Sequence, residues 1–168
     1  VLIENKKYMS DSQPVEPLTF RKVLALRGPN IWTNITVLEA WVDLAGLRNA
    51  STNEMDGFNE RLRAWLPTLV DHRGSIGERG GFLEQLRRGS NLAHVLEHVA
   101  LELQFLAGND VRFGRAIPMD EPGVYRVAVE YMEEAVGRSA LDLAKKLVLA
   151  AVAGEEFDVK GEVATLRE

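Results

Sequence analysis

The chain has 168 residues, 46% of them hydrophobic and 27% charged, with a formal net charge of −5, enough to build one sizeable core and too acidic for a general nucleic-acid footprint. The absence of cysteine excludes disulfides and thiolate zinc sites within these residues and fits a reducing cytoplasm. No apolar run reaches the roughly 20 residues of a membrane span, and the N-terminus carries no signal-peptide core, so the expectation is a cytoplasmic domain without a nucleic-acid or membrane partner.

Residues 1–17, VLIENKKYMSDSQPVEP, are polar and Pro-bearing and show no sustained periodicity, which predicts a flexible segment. Met9 followed by SDSQP reads as a native start, making residues 1–8 vector-derived; a native arm or strand is the alternative. The domain proper is expected over 18–155. LTFRKVLALRG has strand composition and stops at Gly28-Pro29. In ITVLEAWVDLAG, Thr36, Leu38, Ala40, Val42 and Leu44 alternate with Ile35, Val37, Glu39, Trp41 and Asp43, a second strand with one face on a core.

A turn-rich loop, NASTNEMDG, leads to GFNERLRAWLPTLVDH, where Phe58, Leu62, Trp65, Leu66 and Leu69 recur at helical spacing until Pro67 kinks or breaks it. The Gly-rich stretch around GSIGERGGF lacks the Lys-Ser/Thr of a phosphate-binding loop and follows no strand, so a tight turn against the next helix, FLEQLRRG, is the better reading. Trp32, Trp41 and Trp65 are spaced like core residues. Past the next helix, VRFGRAI and GVYRVAVEYM pair as antiparallel strands, and EEAVGRSALDLAKKLVLAAVAG is a long last helix. Residues 156–168 are a charged segment, read as a linker. The order argues an α+β fold: a mostly antiparallel sheet with helices packed on it.

The informative motif is His94-Val95-Leu96-Glu97-His98, inside the apolar run NLAHVLEHVALELQFLAG that Gly108-Asn109 should end. Histidines four apart on a helix share one face, and a glutamate three residues after the first lies within reach of the same point. This H-x-x-E-H order is the inverzincin arrangement, with Glu97 as catalytic base. With three histidines in the chain, chance produces it in under about 1% of such sequences. Helical projection places Leu92, Val95, Leu96, Val99, Leu103 and Leu106 in one stripe and the histidines opposite, with Leu101 and Phe105, beneath a second layer or in a cleft.

Two imidazoles, a carboxylate and a water suit zinc. The competing reading is a pair of buried structural histidines. Glu130 is the expected third ligand, with Glu133, Glu134 and His72 as alternatives; Glu102, about 12 Å along the helix from His94, is too far to be one. Glu130 has a second explanation, a salt bridge with Arg126 on the same strand face. Arg126 and Arg115 are candidates to bind a substrate carboxylate.

LRGPNIW, GFNERLRAWLPTLVDH, IGERGGFLEQLRRG, LAHVLEHVALELQFLAG, VRFGR and GVYRVAVEYMEEAVGRSALDLA together, in unbroken order from about Leu26 to Gly154, resemble the N-terminal domain of cyanophycin synthetases. The resemblance implies a parent enzyme that builds an Asp–Arg polymer with ATP and Mg in an ATP-grasp and a Mur-ligase-like domain, both expected downstream of the residues in hand. It further implies a domain that holds polymer, helps form a homo-oligomer and, in many members, carries a metallopeptidase-like site that trims polymer into primers. On that resemblance His94 and His98 would be zinc ligands, Glu97 the base and Glu130 the third ligand, with Glu133 and Glu134 binding the guanidinium groups of the polymer. The alternative is a non-catalytic polymer-binding and oligomerisation module with structural histidines.

Overall fold

A computed structural model describes residues 16–168. The flexible segment expected over 1–17 lies almost wholly outside the described residues. Among the described residues, four strands form one antiparallel sheet: β1 (Thr19–Leu26), β2 (Val37–Asp43), β3 (Gly114–Pro118) and β4 (Val124–Glu130), in the order β1-β2-β4-β3. Alternation along β2 sends Leu38, Ala40 and Val42 to one face, opposite Val129, Val127 and Tyr125 of β4. This face meets the helices, and its residues join the core. The α+β architecture expected from the element order is the one observed.

The described residues also form five α-helices: α1 (Phe58–Trp65), α2 (Gly81–Arg88), α3 (Leu92–Leu106), α4 (Glu134–Ala153) and α5 (Val159–Leu166). α1 ends before Pro67, which opens a 3-10 turn over Pro67–Asp71, because a proline ring clashes with the preceding turn and offers no N–H. α3 is the central element: twelve of its fifteen residues are buried, and Leu92, Leu96 and Leu103 are fully enclosed, each contributing about 2 kcal/mol by burial. Asn91 starts it, its side chain accepting from the His94 amide at 2.9 Å, one of the four donors a helix leaves unsatisfied at its N-terminus. α4 lies close on the sheet at Gly137, where a Cβ would come within 2.9 Å of Tyr131 Cβ and 3.0 Å of Leu38 Cδ1. None of the described helices is long and apolar enough to cross a membrane.

Two expectations need correction. The charged segment after Gly154 is not merely a linker: Asp158 accepts from Gly161 N at 3.1 Å and starts α5, which buries Val163, while Phe157 sets its ring 5.9 Å from Trp65. Trp32 and Trp41 are not core residues. They stand half-buried on the sheet face away from the helices, where Trp41 pairs across the ladder with Arg126.

Candidate metal centre

His94, Glu97 and His98 project from α3 to a single point, with one ligand atom from each lying within 4.8 Å of the others. The two Nε2 atoms are 3.1 Å apart, close to the roughly 3.3 Å that separates two nitrogens on a tetrahedral zinc with bonds of about 2.0 Å. Glu97 Oε1 is 3.7 Å from His98 Nε2. The rings are held by Phe82 of α2, itself fully buried: it stacks on His98 at 3.9 Å and meets His94 edge-on at 5.4 Å. On the far side, Gly114 of β3 makes room for Glu97. A Cβ there would lie 2.7 Å from Glu97 Oε1 and 2.8 Å from Leu101 Cδ1.

A row of polar contacts runs through the histidines. Glu102 accepts from Thr68 Oγ1 and sits 2.7 Å from His72 Nε2. His72 Nδ1 is 2.8 Å from His98 Nδ1, and His94 Nδ1 is 2.8 Å from Ser90 Oγ. His72 reaches this position because the Gly-rich segment after it folds back on α2: its carbonyl accepts from the Phe82 amide at 3.2 Å, and Gly80 N donates to Val70 O at 2.7 Å. The tight turn expected there is present, and it places an imidazole.

Burial governs the charges. Desolvation lowers the His94 pKa, and lowers that of His98 further, with His94 and His72 adding repulsion. Both rings are therefore neutral and carry a lone pair, the form that binds a metal. Burial pushes the Glu97 carboxyl up to about 8, and no hydrogen bond reaches it among the described residues to oppose that.

The centre forms the floor of a cavity of about 990 Å³ walled by α3, the turn from Thr68 to Ser75 and the edge of β3. Arg73, Arg112 and Arg115 stand in its lining, with Asp71 and Asp110. Of the residues expected to bind substrate, only Arg115 is placed there. Glu130 does not join the histidines: its carboxylate accepts from the amides of Arg112 and Phe113 at 2.8 and 2.9 Å. Nor does it pair with Arg126, which turns to the other sheet face and binds Glu39 at 2.8 Å while lying over the rings of Trp32 and Trp41. Glu133 precedes α4, and Glu134 pairs with Arg138 at 2.9 Å; neither lines the cavity. His72, ranked low as a ligand, is the group that the fold brings to His98, and Glu102 holds the other nitrogen of its ring. A signal for them existed only in residue type, since His72 is the chain's one remaining histidine.

Comparison with known proteins gives the family of the chain. The family described as cyanophycin synthase-like N-terminal domain matches residues 39–153. The cyanophycin synthetase of Crocosphaera subtropica is 41% identical over 141 residues, covering 83% of this chain and 16% of that protein. Those of a Synechocystis species and of Trichormus variabilis are each 45% identical over 121 residues, 71% of this chain. The chain thus spans about a sixth or less of the length of these relatives.

Proposed function

Because the chain belongs to the cyanophycin synthase-like N-terminal domain family, we propose that it acts as the N-terminal domain of a cyanophycin synthetase and that its α3 centre holds zinc and hydrolyses amide bonds of the Asp–Arg polymer. The observation that carries this reading is the meeting of two neutral imidazole Nε2 atoms at 3.1 Å with a buried, unbonded carboxylate at the floor of an arginine-lined cavity. With Glu97 kept as the base, the two imidazoles leave positions on the ion open to water and substrate, which suits hydrolysis. Bound zinc would polarise the scissile carbonyl. Glu97, protonated near neutral pH while the site is empty of cations, is ionised by a neighbouring positive charge. It then takes a proton from the attacking water and returns it to the leaving nitrogen. Arg73, Arg112 and Arg115 offer guanidinium forks to the free carboxylates that every arginine of the polymer carries. ATP and Mg enter only through the larger enzyme.

Metal analysis after growth without chelators, with polymer cleavage followed by chain length, tests this. The parent should carry about one zinc per chain and shorten polymer, and His94→Ala should do neither. Polymer shortened equally by parent and His94→Ala would end the hydrolase reading. The arginine-lined cavity also favours a holding role. In that case the domain binds Asp–Arg polymer in preference to polyaspartate or polyarginine, more weakly as salt rises, and leaves its length unchanged.

A further inference from the structure

The three histidines stand in one hydrogen-bonded row whose two ends differ in kind. At one end is Glu102, 2% exposed, whose partners are Thr68 and His72. At the other is the hydroxyl of Ser90, 2.8 Å from His94 Nδ1. A carboxylate only accepts, whereas a hydroxyl donates or accepts as it rotates. Donor order therefore propagates from the Glu102 end. With one proton on its ring, His72 donates it from Nε2 across 2.7 Å and presents Nδ1 as an acceptor. The 2.8 Å contact between the two Nδ1 atoms requires His98 to donate from Nδ1. His98 is left with a bare lone pair on Nε2, the atom that faces His94 Nε2 at 3.1 Å.

We infer that Glu102 and His72 are positioning residues that preset His98 in the metal-binding tautomer, and that Ser90 lets His94 change tautomer when metal arrives. The purpose of this device rests on the zinc reading above; the donor order does not. Without metal, His94 donates from Nε2 to His98 Nε2 and accepts from Ser90 at Nδ1. With both Nε2 atoms on zinc, His94 has lost its proton at Nε2 and gained one at Nδ1, which it donates to Ser90 Oγ. The ring's charge is unchanged. His72 is no ligand in this scheme, since Glu102 occupies one of its nitrogens and His98 the other. The burial of Glu102 then has a reason: a carboxylate here orients a ligand through an intervening ring, as outer partners of metal-bound histidines do.

The test is long-range proton–nitrogen NMR of the imidazoles in chelator-treated protein, repeated with zinc. Metal-free, His98 should be protonated at Nδ1, and His72 and His94 at Nε2; zinc should move only the His94 proton, to Nδ1. Glu102→Gln, whose amide can donate as well as accept, should mix the His98 tautomers and weaken zinc binding about 10- to 100-fold. His72→Ala should weaken it similarly, and His72→Gln, which restores an acceptor and a donor, should recover part of the loss. Circular dichroism confirms that each variant is folded. A His98 protonated at Nε2 in the metal-free parent, zinc bound equally by parent and Glu102→Gln, or a His72 resonance shifted by direct ligation would each overturn the inference. A parent that binds no zinc yet shows the stated tautomers would retire the hydrolase and leave the donor order standing.

Discussion

Glu39 and Glu97 are each 4% exposed, yet their carboxyls move in opposite directions. Burial raises Glu39, but hydrogen bonds from Arg126, Trp32 and Trp41 outweigh it and hold the group below the ordinary value; the two indoles donate at 2.7 and 3.0 Å and Arg126 at 2.8 Å. Glu97 has burial alone and rises to about 8. Equal exposure therefore hides two differences: Glu97 lies deeper within the protein, and it has no partner where Glu39 has three. The outer sheet face holds a carboxylate satisfied by three donors, although the Nε of Arg126 is buried and unpartnered. The centre on α3 keeps a carboxyl without donors beside the paired Nε2 atoms of His94 and His98, a costly arrangement that a cation would relieve.

The comparison breaks most readily at Glu97. Glu97→Gln should lower polymer cleavage about 10²- to 10⁴-fold with zinc content unchanged; retained turnover would remove Glu97 from the base role. The same variant has a signature without metal. A carboxyl raised from 4.5 to about 8 adds stability that is complete below pH 4.5 and lost as pH rises through about 8, because only the folded state holds the proton there. Glu97→Gln never ionises. In thermal melts of chelator-treated protein its advantage over the parent should be absent at pH 4.5, grow through neutrality and level off above about 8.

On the other face, Arg126→Leu should destabilise the fold by about 3 kcal/mol in denaturant titration, since it strips a buried carboxylate of its ion-pair partner, while zinc binding stays intact. A change in zinc affinity would mean that the two regions are coupled. Trp32→Phe, losing one donor to the same carboxylate, should cost about 1.5 kcal/mol and begin to move Glu39 towards the behaviour of Glu97. The smallest effect is expected at Gly114→Ala: the added methyl displaces the Glu97 carboxylate by a few tenths of an ångström, and cleavage should fall about 10-fold with both histidines still binding zinc.

Much of this was legible along the chain. The helix breaks at Pro67, the Gly108 stop, the β2 alternation and the convergence of His94, Glu97 and His98 all depend on residues within a few positions of each other. What reading by position missed has a common origin. Arg126 and Glu130 share a strand face by count, but Glu130 ends β4 and its carboxylate caps the amides of Arg112 and Phe113, while Arg126 is drawn to Glu39 across the ladder. Trp32 and Trp41 look like core residues by type, yet they donate to a carboxylate that needed them. Helix α5 hid behind its charged composition, although Asp158 stood as a capping signal.

The sequence by itself determined the H-x-x-E-H face, because helical pitch alone brings residues four apart together, and it determined the α+β order, because periodicity changes where the elements change. Only the tertiary structure decided which groups would meet that face. His72 lies 26 residues before His98 and Glu39 lies 87 before Arg126. No local period spans such separations; sheet register and the fold-back of the Gly-rich turn do.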